Sequence, residues 1–407
     1  MLTAEENELL TRVGPRTPCG EMLRRYWHPV ALAGELTDDR PRKRVRILGE
    51  ELVLFRDQQG SYGLVGEHCS HRGASLYYGF LEDGGIRCPY HGWLYDAEGR
   101  CLEQPFEPAQ SILKHTIRHP AYPVEELGGL LFAYLGPPEK RPLLPRWDIL
   151  TLEGVRHFAV HPPLSCNWLQ CEENTADVTH TFFLHGHMMA KKALRGGEYY
   201  YRPFAQYGFQ PFTWGLLKDW IAEGPRGGLA WGNLLVFPNM LRLATSMHWR
   251  VPVDDTHTRI FWLNFTSKEV AGREGVEVEH HGPWLNERGE YPLDSFPSQD
   301  TMAWETQGPI FDRTREHLGA SDTGIATFRQ MVRQAIDAVQ DGEDPIALVR
   351  DPDQNEMIDL REWFREGDEV AGAGSVGVPA RPLTSDEVFD DRHALVAVPY
   401  GTARPKR

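Results

Sequence analysis

The stretch CSHRGASLYYGFLEDGGIRCPYHG, residues 69–92, carries two Cys-His pairs, Cys69 with His71 and Cys88 with His91. Sixteen residues separate the pairs, enough for one hairpin-like excursion that returns the second pair beside the first. Two thiolates and two imidazoles suit a tetrahedral zinc, or a [2Fe–2S] cluster with both thiolates on one iron and both imidazoles on the other. Spacing alone leaves both open.

The flanking residues separate them. Arg72-Gly73 follows the first pair, and Pro89-Tyr90 and Gly92-Trp93 bracket the second histidine, so that the stretch resembles the ligand loops of Rieske [2Fe–2S] proteins. The resemblance implies that Cys69, His71, Cys88 and His91 hold the cluster. Imidazole ligation raises its potential above that of all-cysteine ferredoxins. A Rieske cluster moves electrons and chooses no substrate, so another part of the chain must use them.

At 407 residues the chain is long enough for two or three domains, and roughly 300 residues fall outside a cluster module. The net charge of −15, with no run of Lys or Arg, argues against a nucleic-acid partner. The start, Met1-Leu2-Thr3-Ala4-Glu5-Glu6-Asn7-Glu8, has neither the basic head nor the apolar core of a signal peptide. The longest apolar run, near Leu130 to Leu135, is too short to cross a membrane. Of six cysteines, Cys19, Cys101, Cys166 and Cys171 show no disulfide-framework spacing, and a reduced cytoplasm is the expected compartment.

Residues 3–28 read as helical, with a break at Gly14-Pro15, and short alternating runs begin at Arg42. Val45 to Leu48, Leu52 to Arg56, Tyr62 to Glu67 and Leu130 to Tyr134 predict strands of a small β domain carrying the cluster on two loops. Gly136 to Pro145 reads as a proline-rich linker. Beyond it, Val236, Trp249 to Pro252 and Arg259 to Phe265 suggest an antiparallel sheet, with helices near 167–190 and 322–340. In the last, Ile325, Phe328, Val332, Ala335, Ile336 and Val339 share one apolar face, and Gly342 stands where a C-cap belongs. The fold class is therefore α+β. A helical segment (1–40), a small all-β cluster domain (41–140) and a larger domain of antiparallel sheet surrounded by helices (141–407) follow one another.

The next informative stretch is NWLQCEENTADVTHTFFLHGH, residues 167–187. Asp177, His180 and His185 form D-x-x-H-x-x-x-x-H, and two imidazoles with one carboxylate make the facial triad of non-haem Fe(II) oxygenases. Together with the cluster loops, this resembles the catalytic motif of Rieske non-haem iron oxygenases, α subunits of the phthalate-dioxygenase-like group. The likeness runs from Thr11-Arg12-Val13-Gly14 through His248 to Asp255 and on to Gly308-Pro309-Ile310.

It implies that His180 and His185 bind the mononuclear iron and that Asp177 is a bridging carboxylate. The third ligand is then Asp300, which stands five residues before Glu305; Asp312 and Asp322 are its competitors. His187 reads as lying outside the ligand set. The family further implies a homotrimer in which Asp177 joins one chain's cluster to its neighbour's iron. Electrons come from NADH through a separate flavin and [2Fe–2S] reductase, since nothing here resembles a nucleotide-binding domain.

The substrate pocket is expected after the ligand helix, along Tyr199 to Phe204, Tyr207, Phe209, Phe212, Trp214 and Met240, an aromatic lining that suits a flat apolar ring. After Tyr207-Gly208 the chain reads Phe209-Gln210-Pro211-Phe212, without the arginines that relatives acting on aromatic dicarboxylates tend to place there. Arg202, Lys218 and Arg242 are the possible anchors. The expected activity is hydroxylation of an aromatic compound by O2. O-demethylation of a methoxyaromatic compound follows, and an electron-transfer protein without oxygenase activity comes last.

Overall fold

The structure is a computed structural model that describes residues 1–192, 201, 204–222 and 229–364. The strands are β1 (Trp27–Leu32), β2 (Arg42–Ile47), β3 (Glu50–Arg56), β4 (Tyr62–Gly66), β5 (Phe80–Glu82), β6 (Gly85–Arg87), β7 (Leu94–Tyr95), β8 (Cys101–Glu103), β9 (Ala121–Tyr122), β10 (Val124–Leu127), β11 (Leu130–Tyr134), β12 (Gly154–Val160), β13 (Phe204–Phe212), β14 (Gly215–Ala222), β15 (Leu229–Val236), β16 (Met240–Leu243), β17 (Ser246–Asp254), β18 (His257–Ser267) and β19 (Gly275–His280). Three small sheets, β2-β3-β4-β9, β5-β6-β7-β8 and β1-β11-β10, make up the cluster-bearing region. The larger sheet runs β13-β14-β15-β16-β17-β18-β12-β19, antiparallel except for β12 against β19.

The first segment departs from the sequence reading. Helices span only Ala4–Thr11 and Pro18–Leu23, and Trp27–Leu32 is a strand paired with β11. All six residues of β1 are buried, so no polar-apolar alternation marks it as a strand. The Gly136–Pro145 segment is no free tether either: Trp27 Nε1 donates to Pro142 O (3.0 Å) and Leu143 N to Val349 O (2.9 Å).

One hydrophobic core runs from Met22 and Leu23 through Leu131 and Phe132 to Val236, Trp249 and Phe328. The cluster-bearing region is seated on the large sheet, with Leu48 N and Gly49 N donating to Pro252 O and Val253 O. A second, smaller core of Val53, Phe55, Val65, Leu76, Ile86, Trp93 and Tyr95 includes Cys69 and Cys88.

The Thr323–Gln340 helix buries Phe328, Val332, Ala335, Ile336 and Val339 along one face, as the spacing predicts. Near its start, Gly324 allows close approach. A Cβ there would lie 2.2 Å from Ala176 O and 2.3 Å from the Phe209 ring, so only glycine lets this helix close on the turn that carries Asp177.

Candidate metal centres and active site

The two cysteine loops share one backbone geometry despite their different Cys-His spacing. Cys69 N donates to Ala74 O and Gly73 N to Cys69 O; Cys88 N donates to Trp93 O and Gly92 N to Cys88 O. Both turns close on a glycine of positive φ, 74° at Gly73 and 76° at Gly92, a conformation that side chains resist. Cys69 and Cys88 are buried, whereas His71 is exposed and His91 half-buried, with their ring centroids 4.6 Å apart. Trp93 stacks flat on His71 at 4.5 Å.

Among the described residues, the group of three or more metal-ligating side chains gathered within 4.8 Å is His180, His185 and Asp300, not these four. A tetrahedral zinc draws its donors to one point, so a donor set split into a buried thiolate side and a surface imidazole side fits two irons better.

The second centre is built on an irregular helix. Trp168–Thr175 is α-helical, with Asn167 Oδ1 accepting from Leu169 N at its start, and Thr181–His187 is a π-helix. On an α-helix, residues five apart point about 140° away from each other. The wider π turn, roughly 4.4 residues, brings them to within about 50°. His180 and His185 accordingly face one another, with ring centroids 5.2 Å apart. Asp300 reaches them from the Phe296–Glu305 helix, its Oδ1 3.2 Å from His185 Nε2.

The competing carboxylates Asp312 and Asp322 stand elsewhere, as does Glu305. Asp312 accepts from Thr314, Asp322 from Gly319 N, and Glu305 from Ser165 N and Tyr291 Oη. His187 packs on Tyr201, with ring centroids 4.9 Å apart, outside the group.

Each imidazole has a polar side chain behind it. Asp177 Oδ2 lies 3.2 Å from His180 Nδ1, while its Oδ1 accepts from Thr179 N (2.8 Å) and Oγ1 (3.0 Å). His185 Nδ1 lies 2.9 Å from Gln299 Oε1.

The surroundings are dense in buried charge. Burial opposes ionisation of Asp177, but His180, Lys218 and Thr179 outweigh it and hold its carboxyl well below the usual range. Asp300 is likewise lowered against its burial by His185, His180 and Arg250. Glu172 is pushed up to about 8 by burial, only partly offset by Arg250, whose Nη1 lies 3.4 Å from it. Burial keeps His248 neutral, and its Nε2 shares a hydrogen bond with Ser246 Oγ.

The residues expected to line a substrate pocket divide. Lys218 Nζ donates to Asp177 O (2.8 Å), and Phe209 pairs in register with Lys218 as Tyr207 does with Trp220. Cross-strand partners share a face, which puts Tyr207 and Phe209 on the Asp177 side of the sheet. Trp214 instead packs edge-on against Trp147 (5.5 Å), and Met240 lines a separate, small and partly open apolar pocket with Tyr26, Trp27 and Trp147.

Of the possible anchors, Arg242 is spent on buried Asp148 (2.7 Å) and Lys218 on the Asp177 carbonyl. Arg202 lies outside the described residues, as do Tyr199, Tyr200 and the side chain of Phe204. Gln299 and Arg250 went unread as site residues; Gln299 stands next to Asp300, but no residue-type pattern marks a lone glutamine.

A cluster fold with buried thiols and surface imidazoles, followed by a two-histidine, one-carboxylate site, defines a two-centre redox enzyme of the oxygenase type. Residues 26–121 match the family model of the Rieske [2Fe-2S] domain, and residues 285–361 match the model described as LigXa C-terminal domain like. The chain is 39% identical over 378 residues to the 5,5'-dehydrodivanillate O-demethylase oxygenase subunit of Sphingobium sp. (strain NBRC 103272 / SYK-6), covering 90% of this chain and 88% of that one. It is 40% identical over 363 residues to the phenoxybenzoate dioxygenase subunit alpha of Ectopseudomonas oleovorans, covering 83% and 87%. Its fold matches that of Pseudomonas putida CBB5 NdmA with caffeine at a TM-score of 0.58 and 21% identity, over 80% of this chain and 94% of that one.

The chain belongs to the Rieske non-haem iron oxygenases, among their oxygenase subunits. It is an enzyme that uses a Rieske [2Fe–2S] cluster and a mononuclear iron, and its relatives are components that work with electron-donating partner proteins. No described helix is long and apolar enough to cross a membrane.

One contact bears on the cluster's potential. Tyr95 Oη lies 3.2 Å from Cys69 Sγ, and burial pushes the phenol up, so it stays a donor. With Cys69 as the cluster ligand the sequence leads one to expect, a hydrogen bond to its sulfur stabilises the reduced, more negative cluster. Tyr95→Phe is expected to lower the reduction potential by on the order of tens of millivolts, read by redox titration of the cluster's EPR signal. An unchanged potential would show that the hydroxyl does not act on the sulfur.

Proposed function

We propose that Cys69, His71, Cys88 and His91 hold the cluster and that His180, His185 and Asp300 hold ferrous iron, at which an aromatic compound is hydroxylated with O2. The observation that carries this reading is the convergence of these three side chains within 4.8 Å, on the same chain as a Rieske domain. Bound there, iron supplies the oxygen activation that no side chain can perform. The chain's own groups do the rest. Asp177 orients His180, Gln299 lies against His185, and Phe296 packs on the His185 ring at 4.4 Å, shielding it from water.

Electrons reach the cluster from NADH through a separate flavin and [2Fe–2S] reductase. The working unit in this reading is a homotrimer, in which the cluster of one chain meets Asp177 of the next. Exposed apolar residues at both ends support that docking: Tyr90 between the cluster ligands, and Phe183, 66% exposed, on the ligand helix. None of the six cysteines is paired in a disulfide, which fits a cytoplasmic location. The domain bounds follow the sequence reading, 1–40, 41–140 and 141–407, except that the first segment is divided: its two helices pack on the last domain, while its strand β1 pairs with β11 in the cluster-bearing region.

A second reading, O-demethylation of a methoxyaromatic compound, is favoured by the relative that carries out that reaction on dehydrodivanillate. Incubation of the iron-replete protein with a compatible reductase, NADH and ¹⁸O₂ against a panel of aromatic acids, methoxyaromatics and neutral rings tests both. Two labelled oxygens in one product mean ring dihydroxylation. Formaldehyde release with a phenolic product means demethylation. Reduction of the cluster with no oxygenated product from any ring would overturn both.

A further inference from the structure

A neutral imidazole can offer a metal either nitrogen, and the one it offers is set by what holds the other. His185 is buried, and its Nδ1 faces Gln299 Oε1 at 2.9 Å while its Nε2 faces Asp300. An amide could in principle present either end to the ring, donor or acceptor. Here it cannot turn, because Gln299 is fully buried and its Nε2 donates to Leu293 O at 3.2 Å.

Leu293 is itself fixed. It adopts a left-handed backbone (φ 57°) that few non-glycine residues accept, and its N donates to Ser298 Oγ at 3.1 Å. Both polar groups of this one residue are thereby turned onto the first turn of the Phe296–Glu305 helix, the helix that carries Asp300. The amide oxygen is left facing the ring, so Nδ1 must carry the hydrogen and the Nε2 lone pair points at Asp300.

We propose that Gln299 is a positioning residue for the mononuclear iron: anchored by the left-handed Leu293, its amide locks His185 in the tautomer that presents Nε2 to the metal. The two ligand histidines then differ in kind, His180 being backed by a carboxylate and His185 by a neutral amide. The buried ligand is oriented without adding a second negative charge behind the iron; among the described residues the anionic backing sits on the histidine beside Asp177. The inference rests on the reading that His185 is a ligand.

The test is ferrous-ion affinity of the mononuclear site, measured anaerobically by competition with a chromophoric chelator in the cluster-loaded protein, with the cluster's visible spectrum as the folding control. Gln299→Met keeps the volume and removes the acceptor, and is expected to weaken iron binding about 10- to 100-fold. Gln299→Glu, as a buried neutral acid, can still accept from Nδ1–H and donate its own O–H to Leu293 O. It is expected to bind within about threefold of wild type.

Iron binding by Gln299→Met as tight as wild type would overturn the proposal, and so would a loss in Gln299→Glu of more than about tenfold. The glutamate variant decides alone if the methionine variant does not fold. His185→Ala separates the two readings. If it keeps wild-type iron affinity, His185 is no ligand; if it loses iron while Gln299→Met does not, only the tautomer lock fails.

Discussion

Asp177→Asn is expected to lower turnover roughly 100-fold while leaving the cluster and the mononuclear iron bound. In the native chain the carboxylate divides its work. Oδ1 is taken by the two Thr179 donors, and Oδ2 is left for His180 Nδ1. Asparagine keeps the shape and the Thr179 contacts but sets an NH2 donor against an Nδ1–H donor, so the link to His180 becomes repulsive. It also removes a charge that is present throughout the neutral range, since the carboxyl is held far below its usual pKa. In the proposed site His180 itself is unaltered. Chelator assay of iron, EPR of the cluster, and the rate at which a pre-reduced cluster reoxidises with substrate and O2 separate binding from transfer. Wild-type reoxidation in a fully metallated variant would sink the bridging role.

Glu173→Ala is expected to cost about 3–5 kcal/mol of folding stability, the largest structural effect anticipated here. Glu173 accepts a bidentate pair from Arg313 (2.8 and 2.7 Å) and a further bond from Arg329 Nε (2.6 Å), all buried. Arg329 also pairs with Glu316, and Arg313 reaches Asn7 of the first helix. Removing the shared carboxylate strands two buried guanidinium groups with one partner between them.

The effect has a pH signature. Burial raises the Glu173 pKa, but the two arginines overcome it and lower it below the unfolded value of 4.5. Its contribution is thus complete above that pH and is lost as the pH falls further, through the folded value. Urea unfolding at neutral pH and at pH 4 checks both claims. A loss under about 1 kcal/mol at neutral pH would mean that Glu316 alone satisfies the arginines. Glu173 lies in the last turn of the Trp168–Thr175 helix, four residues before Asp177, so this cage also anchors the helix that leads into the candidate site.

Relatives of nearly equal identity to this chain are named for different substrates, and the described residues explain part of why sequence says so little here. Arg242 looks like a carboxylate anchor in the sequence and is an internal ion pair in the fold. Met240, one of the aromatic-pocket expectations, faces a different cavity. Strand position decides which face a side chain occupies, and a strand's register is invisible until its neighbours are known.

The cluster loops and the His180-His185 pair are local, and by themselves these residues determined the class of the protein. Ligands held within one short loop bring their chemistry with them, because turn and spacing are both written in consecutive residues. The Thr323–Gln340 helix was legible for the same reason, its apolar face repeating at helical period. Tertiary structure decided the rest. Winding Thr181–His187 as a π-helix turns the two histidines together, where an α-helix would part them. Folding brings Asp300 and Gln299 to a histidine more than 110 residues away. The strand at Trp27–Leu32, buried on both faces, could be told from a helix only by its pairing with β11. Contacts so distant in sequence are set by packing and by the closure of buried hydrogen bonds, for which no local pattern exists.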